Sequence, residues 1–225
     1  MAKTQEQAES WEVGSASDFV RNDFLIPNLT RHLALERPEQ ILDIGSGTAY
    51  VPRKIDDCLD YSPQWTLIDI DKARMAVALQ NQPSSMQAQL VIADCLTHEF
   101  GRKFDAAMAI FTILEFEDLS VFIARLPGLV RSGGLLLVCI PDAWADVIGH
   151  PSDGNETIHK FLEGQASLNK IDKFTNEAYP FQAVRIEILI SRVLASGFSL
   201  IELTESEAEQ TRAYLMAFRR NEQIS

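Results

Sequence analysis

The chain has 225 residues, of which 46% are hydrophobic, so it is long enough and apolar enough to bury the core of one α/β domain. Its formal net charge of −12 disfavours tight binding to the phosphate backbone of nucleic acids. No apolar run reaches the ~18–20 residues of a membrane span, and the chain shows neither a signal peptide nor a paired cysteine motif. We therefore expect a cytoplasmic protein with no membrane contact, no disulfide framework and no metal site.

The first part of the chain predicts a helical extension. Residues 1–10 are polar, and we expect them to be frayed. Residues 17–35 carry apolar side chains at helical spacing and predict an amphipathic helix that is interrupted near Pro27. We therefore expect residues 1–36 to form an N-terminal helical extension or cap, and residues 37–225 to form the main domain.

Strands and helices then alternate along the chain. We predict strands at residues 40–44, 65–68, 90–93, 105–110 and 135–140, and helices at residues 50–59, 72–80 and 119–130. Continuous apolar strands of this kind are typical of a parallel sheet that is covered on both faces.

The last third of the chain departs from this alternation. Residues 141–179 have no clean period, which favours a substrate-side insertion at about residues 141–182, the alternative being a solvated insertion without function. Residues 181–194 predict another helix. The two final strands, at residues 198–203 and 213–219, are joined by a linker too short for a parallel crossover, so they should pair antiparallel.

A glycine turn directly after the first predicted strand indicates a cofactor site. Gly45 and Gly47, separated by Ser46, allow the backbone to turn tightly and to approach a ligand closely. Asp43 precedes them, and its carboxylate would repel a pyrophosphate but suits a ligand that carries positive charge. S-adenosylmethionine is such a ligand, since it has a cationic sulfonium and an ammonium group beside its adenosine.

Three aspartates follow the first three predicted strands. Asp43, Asp69 and Asp94 lie at or just beyond the carboxyl ends of these strands, where ligands of open parallel sheets bind. Asp69 also lies at the spacing of ~20 residues after the glycine turn that is expected for a carboxylate binding ribose hydroxyls. We expect the three carboxylates to face one crevice.

The segment from Asp43 to Ala49 resembles the first motif of the class I S-adenosylmethionine-dependent methyltransferases, aspartate (or glutamate)-x-glycine-x-glycine-x-glycine, with Ala49 in place of the third glycine. The resemblance covers roughly residues 40–219. It includes Phe104-Asp105 before the fourth predicted strand and the segment 129–134, in which Ser132 replaces the proline usual before two glycines. A last match is Ala195-Ser196-Gly197-Phe198, which resembles the turn before strand six of many small-molecule methyltransferases.

The resemblance implies a Rossmann-like, doubly wound, seven-stranded sheet, mostly parallel with an antiparallel last strand, in a three-layer α/β/α fold. It also implies the residues that bind S-adenosyl-L-methionine, with Asp69 on the ribose, Ile70 on the adenine face and Asp94 on the adenine amino group. The full predicted cofactor set is Asp43, Gly45, Ser46, Gly47, Asp69, Ile70, Asp94, Cys95 and Phe111.

Residues for the chemistry itself are less clearly marked. Glu115, in the loop after the fourth predicted strand, is the candidate catalytic base, and the alternative is a solvated surface residue. Trp144 and Tyr179 are candidate substrate-binding residues, although aromatic side chains also serve as core.

These features predict a methyltransferase that transfers a methyl group from S-adenosyl-L-methionine to a small organic acceptor, with no nucleic acid partner. One alternative is a protein that binds the cofactor without chemistry, as a sensor or partner subunit. Another is a nicotinamide-dependent oxidoreductase, but that class requires a small residue where Tyr50 stands and has no use for Asp43.

Overall fold

A seven-stranded sheet forms the centre of the computed structural model, which describes residues 4–144, 147, 154–171, 178–206 and 212–222. A separate two-stranded sheet lies outside it. The strands are β1 (Gln40–Ile44), β2 (Gln64–Asp69), β3 (Ala88–Ile92), β4 (Phe104–Ile110), β5 (Val130–Pro141), β6 (Gln165–Ile171), β7 (Ala178–Val184), β8 (Phe198–Glu205) and β9 (Ala213–Arg220).

The main sheet has the strand order β3-β2-β1-β4-β5-β9-β8. Strands β1 to β5 pair in parallel, and β9 runs antiparallel to both of its neighbours, β5 and β8. The order reverses between β1 and β4, so the ligand crevice of such a sheet lies outside the carboxyl ends of these strands. The predicted mostly parallel sheet with an antiparallel last strand is confirmed.

Seven α-helices are present in the described residues. They are α1 (Gln5–Ala16), α2 (Ile26–Glu36), α3 (Tyr50–Asp56), α4 (Lys72–Asn81), α5 (Leu119–Leu129), α6 (Gly154–Glu163) and α7 (Ile186–Ala195). A π-helical turn at Val20–Leu25 precedes α2, and a short 3-10 helix at Ile113–Glu115 follows β4.

The N-terminal segment is more ordered than its composition indicates. The expectation of a frayed end up to residue 10 is wrong, because α1 begins at Gln5. The Thr4 side chain accepts a hydrogen bond from the Gln7 backbone, while the Gln7 side chain accepts one from the Thr4 backbone. This capping box satisfies two amide groups that otherwise lack partners at a helix start. The predicted interruption near Pro27 is found as the π-helical turn, with Pro27 in the first turn of α2.

Helices cover both faces of the main sheet. Successive residues of β4 point to opposite sides, so Ala107 and Ala109 join the cluster with α5 and α7, whereas Ala106 and Met108 join the cluster with α2, α3 and α4. This arrangement confirms the predicted three-layer α/β/α architecture. Among the described helices, none has both the length and the apolar character that crossing a membrane would require.

The predicted irregular segment contains regular structure. Residues 154–163 form α6, and β6 and β7 form an antiparallel hairpin in which Phe181 pairs with Leu168. The predicted helix at residues 181–194 is therefore wrong at its start, because Phe181–Val184 completes β7 and the helix begins only at Ile186. Pairing with β6 and burial of Phe181 outweigh the helical pattern of the local sequence. Residues 145–146, 148–153 and 172–177 of this segment lie outside the described residues.

Candidate active site

The glycine turn after β1 has the backbone geometry that its sequence predicts. Gly45 and Gly47 have φ angles of 69° and 56°, in the left-handed region that favours glycine. A Cβ atom at Gly45 would lie 2.0 Å from Oγ1 of Thr112, so only glycine fits against the segment that follows β4. Ala49 also has a positive φ of 57°, which gives a physical reason for the third glycine of the family motif at this position.

Asp43 holds a carboxyl group inside the protein at the end of β1. Only 4% of the residue is exposed. Burial raises its pKa to about 7, and nearby Asp69 adds to the rise, while a hydrogen bond from Ser46 opposes it. An ionised carboxylate at this place is therefore costly unless a positive charge comes close to it.

Asp69 joins the glycine turn to the end of β2. Its Oδ2 accepts a hydrogen bond from the Gly47 amide at 2.7 Å, and its Oδ1 accepts one from the Asp71 amide at 2.8 Å. The residue is 8% exposed, and burial raises the pKa of its carboxyl group. A carboxylate has about four lone-pair sites, so these two bonds orient Asp69 and leave acceptor capacity for a ligand.

The third predicted carboxylate lies on the segment after β3. Oδ1 of Asp94 accepts a hydrogen bond from the Leu96 amide at 2.8 Å. The Ala93 amide donates to the Asp69 carbonyl at 3.1 Å, and this hydrogen bond connects the segment after β3 with the end of β2. Ile70 is 73% exposed beside Asp69, so an apolar surface stands next to the carboxylate. Cys95 is buried, and burial raises the pKa of its thiol to about 12, which leaves it unreactive.

Two arginines lie close to an indole ring beside the glycine turn. The Arg74 guanidinium lies 4.4 Å from the centroid of the Trp11 ring, and the Arg21 guanidinium lies 5.5 Å from it. A Cβ atom at Gly47 would lie 3.9 Å from both the Arg74 side chain and the Trp11 indole nitrogen. Arg21 also lies 5.2 Å from the Phe111 ring, so the cluster reaches the end of β4.

Arg21 is the more deeply buried of these cations. It is 9% exposed and donates to Oδ2 of Asp18 at 2.7 Å. Burial lowers its pKa, and Asp18 opposes that shift. The sequence pattern did not identify Arg21 and Arg74 as site residues, because they are distant from each other and from Trp11 in sequence and come together only when the N-terminal helices pack near α4. In the structure, Arg21 lies in a π-helical turn, and such turns are frequent at functional sites.

Side-chain contacts attach the N-terminal helices to α3. Arg53 forms an ion pair with Glu12, and the Tyr50 hydroxyl donates to Oδ1 of Asn22 at 2.7 Å. Tyr50 follows the glycine turn directly, so the N-terminal helices and the turn are held in one arrangement.

The remaining candidate residues are Phe111, Glu115, Trp144 and Tyr179, and the structure describes some of them more fully than others. Phe111 has a positive φ of 59°, and its amide donates to the Cys139 carbonyl at 3.0 Å, which places it between the ends of β4 and β5. Glu115 is exposed at the end of the 3-10 helix. Trp144 is exposed after β5, with its ring centroid 5.2 Å from that of Phe161 on α6. Tyr179 pairs with Lys170 in the hairpin, and its side chain lies outside what the structure describes.

Residues 42–138, from β1 to β5, match the model of the methyltransferase domain family. The chain therefore contains a methyltransferase domain. The matched segment includes the glycine turn and all three aspartates, Asp43, Asp69 and Asp94. No curated protein matches the chain in sequence.

Solved structures share the fold of this methyltransferase at low sequence identity. An S-adenosylmethionine-dependent methyltransferase from Clostridium acetobutylicum ATCC 824 is 11% identical, with 93% of this chain and 95% of that chain covered and a TM-score of 0.67. The N-methyltransferase NodS from Bradyrhizobium japonicum WM9, in complex with S-adenosyl-L-homocysteine, is 14% identical, with coverages of 87% and 85% and a TM-score of 0.60. Magnesium protoporphyrin IX methyltransferase from Synechocystis PCC 6803, with bound S-adenosyl-L-homocysteine, is 14% identical, with coverages of 90% and 84% and a TM-score of 0.62.

The side chains around the turn of the methyltransferase domain suit its cofactor. S-adenosylmethionine has two cationic groups, one carboxylate, two ribose hydroxyls and an apolar adenine face. The crevice offers buried carboxylates at Asp43 and Asp69, guanidinium groups at Arg21 and Arg74, and the exposed Ile70. Within the described part of the chain, no group of three or more His, Cys, Asp or Glu residues is arranged to hold a metal ion.

Proposed function

We propose that this methyltransferase transfers the methyl group of S-adenosylmethionine to a small organic acceptor. The observation that supports this proposal is that further chain segments lie against the glycine turn and against the segment after β4, which are the two parts of the proposed cofactor site. The N-terminal helices bring Trp11 and Arg21 over the glycine turn, and β7 packs against the 3-10 helix that follows β4. A crevice flanked in this way favours a small molecule over a long polymer, and the net charge of −12 disfavours nucleic acid.

Each polar part of the cofactor has a partner of suitable chemistry in the proposed site. Asp69 accepts hydrogen bonds from the ribose hydroxyls, Ile70 packs on the adenine face and Asp94 accepts from the adenine amino group. Asp43 supplies negative charge for the cationic methionine end. Arg21, with Arg74 nearby, is the partner for the methionine carboxylate, because a buried guanidinium binds carboxylates well.

The bound cofactor supplies a methyl group that is already activated by the positive charge on sulfur. The task of the chain is then to hold the acceptor close and aligned, which alone can contribute about 7–11 kcal/mol to lowering a barrier. Phe111 lies at the end of β4, next to Arg21, where it would separate the cofactor from the acceptor. Glu115 is proposed as the base for an acceptor that must lose a proton.

We also propose that residues 1–36 form a cap over the cofactor and that the insertion at about residues 141–182 forms the acceptor side of the site. Trp144 and Tyr179 are its proposed acceptor contacts. The hairpin contributes Phe181 and Ala183 to the same apolar cluster as Ile113 and Leu114, so its position is coupled to the segment after β4.

Binding and turnover test this proposal separately. Calorimetry should show binding of S-adenosylhomocysteine and negligible binding of NAD. A panel of small amines, phenols, carboxylic acids and thiols, incubated with S-adenosylmethionine labelled in its methyl group, should give at least one labelled product. Tighter binding of NAD would refute the cofactor assignment. Cofactor binding with no product from any acceptor class would favour a non-catalytic sensor or partner subunit.

A further inference from the structure

The segment between β3 and β4 crosses the sheet without a helix. It comprises residues 93–103, and it must pass β2 and β1 because these strands lie between β3 and β4. Parallel crossovers usually contain an α-helix, which satisfies its own backbone groups. A crossover without one needs partners for its backbone carbonyls from elsewhere in the protein.

Arg125 of α5 supplies two of these partners. Its Nη1 donates to the Leu96 carbonyl at 2.5 Å, and its Nη2 donates to the His98 carbonyl at 2.7 Å. The side chain is 23% exposed, so this fork is largely shielded from water. Hydrogen bonds from a charged donor are about twice as strong as neutral ones, and the planar guanidinium fixes both carbonyls in one plane.

Both residues that Arg125 holds also donate to Asp94. The Leu96 amide donates to Oδ1 of Asp94, and the His98 amide donates to the Asp94 carbonyl at 2.9 Å. One guanidinium therefore restrains the residue that binds the Asp94 side chain and one of the residues that bind the Asp94 carbonyl, to which the Thr97 amide also donates at 3.1 Å. Without the fork, the carbonyls of Leu96 and His98 lose this restraint, and the direction of the Asp94 carboxylate is then held only by the hydrogen bonds within the turn.

We propose that Arg125 is a positioning residue for adenine recognition, which it serves by fixing the segment that orients Asp94. This inference rests on the proposed role of Asp94 as the acceptor for the adenine amino group. Arg125 acts on Asp94 through this segment, because its guanidinium donates to the carbonyls of Leu96 and His98, while the amides of these two residues donate to Asp94.

The test compares two ligands that differ at the adenine amino group. S-adenosylhomocysteine has this group, and S-inosylhomocysteine has a carbonyl in its place. The unchanged protein should bind S-adenosylhomocysteine more tightly, since a site built around a hydrogen bond rejects an analogue that lacks it. In Arg125→Met, which keeps the length of the side chain and loses the fork, affinity for S-adenosylhomocysteine should fall at least ~tenfold and affinity for S-inosylhomocysteine less than ~threefold.

Further variants separate positioning from stability. Arg125→Lys, which keeps the charge but not the fork, should recover part of the discrimination between the two ligands. The control Arg37→Met lies outside the proposed cap, removes an exposed ion pair with Asp60 and should leave both affinities unchanged. Calorimetry should be run well below the unfolding temperature of each variant.

Two results would overturn the inference. The first is that Arg125→Met lowers the affinity for both ligands equally. The second is that it lowers the unfolding temperature and leaves both affinities unchanged. Either result would show that the fork has only a structural role. Failure of the proposed function would give a different result. In that case the unchanged protein would bind neither S-adenosylhomocysteine nor S-inosylhomocysteine.

Discussion

The buried carboxyl group of Asp43 should make the unbound protein less stable as the pH rises. Its pKa is about 7 in the folded protein, against 3.8 for an ordinary aspartate, because burial disfavours the charged form. The folded state therefore holds this proton more tightly than the unfolded chain does. Since stability falls with pH wherever the folded state binds more protons, the contribution of Asp43 falls between pH 3.8 and about 7 and then levels off.

Asp43→Asn removes this dependence, because the amide is neutral at every pH and has nearly the shape of the protonated acid. A shift of the size seen at Asp43 corresponds to about 4 kcal/mol at pH 8, of which about 1 kcal/mol develops between pH 6 and pH 8. Urea unfolding should therefore show that the variant is more stable than the unchanged protein, and that its advantage is larger at pH 8 than at pH 6.

The same substitution should weaken cofactor binding. A bound cation favours the ionised form of Asp43, so affinity for S-adenosylmethionine should rise up to ~tenfold between pH 6 and pH 8 in the unchanged protein. This rise should be smaller for S-adenosylhomocysteine, which lacks the sulfonium charge, and absent in Asp43→Asn. The control Asp60→Asn alters an exposed ion pair and should behave like the unchanged protein. The reasoning is refuted if Asp43→Asn and the unchanged protein show the same pH dependence of both stability and affinity.

Three further outcomes are expected. Gly45→Ala should lose about 3 kcal/mol of stability in urea unfolding, because its positive φ and its contact with Thr112 both oppose a side chain. Gly47→Ala should lose only about 1–2 kcal/mol, and equal losses would contradict the close approach of Thr112 to Gly45. In calorimetry, Arg21→Met should lower the affinity for S-adenosylmethionine at least ~tenfold and leave the affinity for decarboxylated S-adenosylmethionine nearly unchanged. An equal loss of affinity for both ligands would rule out a contact between Arg21 and the carboxylate. Amides of residues 154–171 should exchange hydrogen more slowly when cofactor and acceptor are both bound. If only the amides of the glycine turn exchange more slowly, the insertion is not part of the acceptor site.

The sheet and the glycine turn could be predicted because they follow from local rules. The bounds of β1 agree with the prediction, and Gly45 and Gly47 have the positive φ angles that only glycine adopts easily. Once parallel strands are assumed, their carboxyl ends meet at one edge, and Asp43 and Asp69 follow from that geometry. What the residue pattern did not reveal is that Asp69 already accepts two backbone hydrogen bonds, one of them from the glycine turn itself.

The cationic side of the crevice could not be predicted in the same way. Arg21, Arg74 and Trp11 come from three separate helices, and their proximity depends on how α1 and the π-helical turn pack against α4. Such packing is set by long-range apolar contacts, which no spacing rule within one element describes. The hairpin shows the same limit, because the residues of β7 satisfy a helical pattern locally and become a strand only by pairing with β6.

In the proposed site, the distribution of charge would favour the charged substrate over its product. Asp43 and Asp69 place two carboxyl groups where water is largely excluded, so their interaction with a positive charge is less screened than at the surface. Transfer of the methyl group turns a sulfonium into a neutral thioether, and this removes one of the two positive charges that those carboxyl groups favour. Arg21 and Arg74 do not oppose this preference, because the carboxylate of the cofactor is the same before and after the reaction. A nicotinamide dinucleotide would instead bring its pyrophosphate to the turn beside Asp43, so the acid that favours methyl transfer also discriminates against the other cofactor class of this fold.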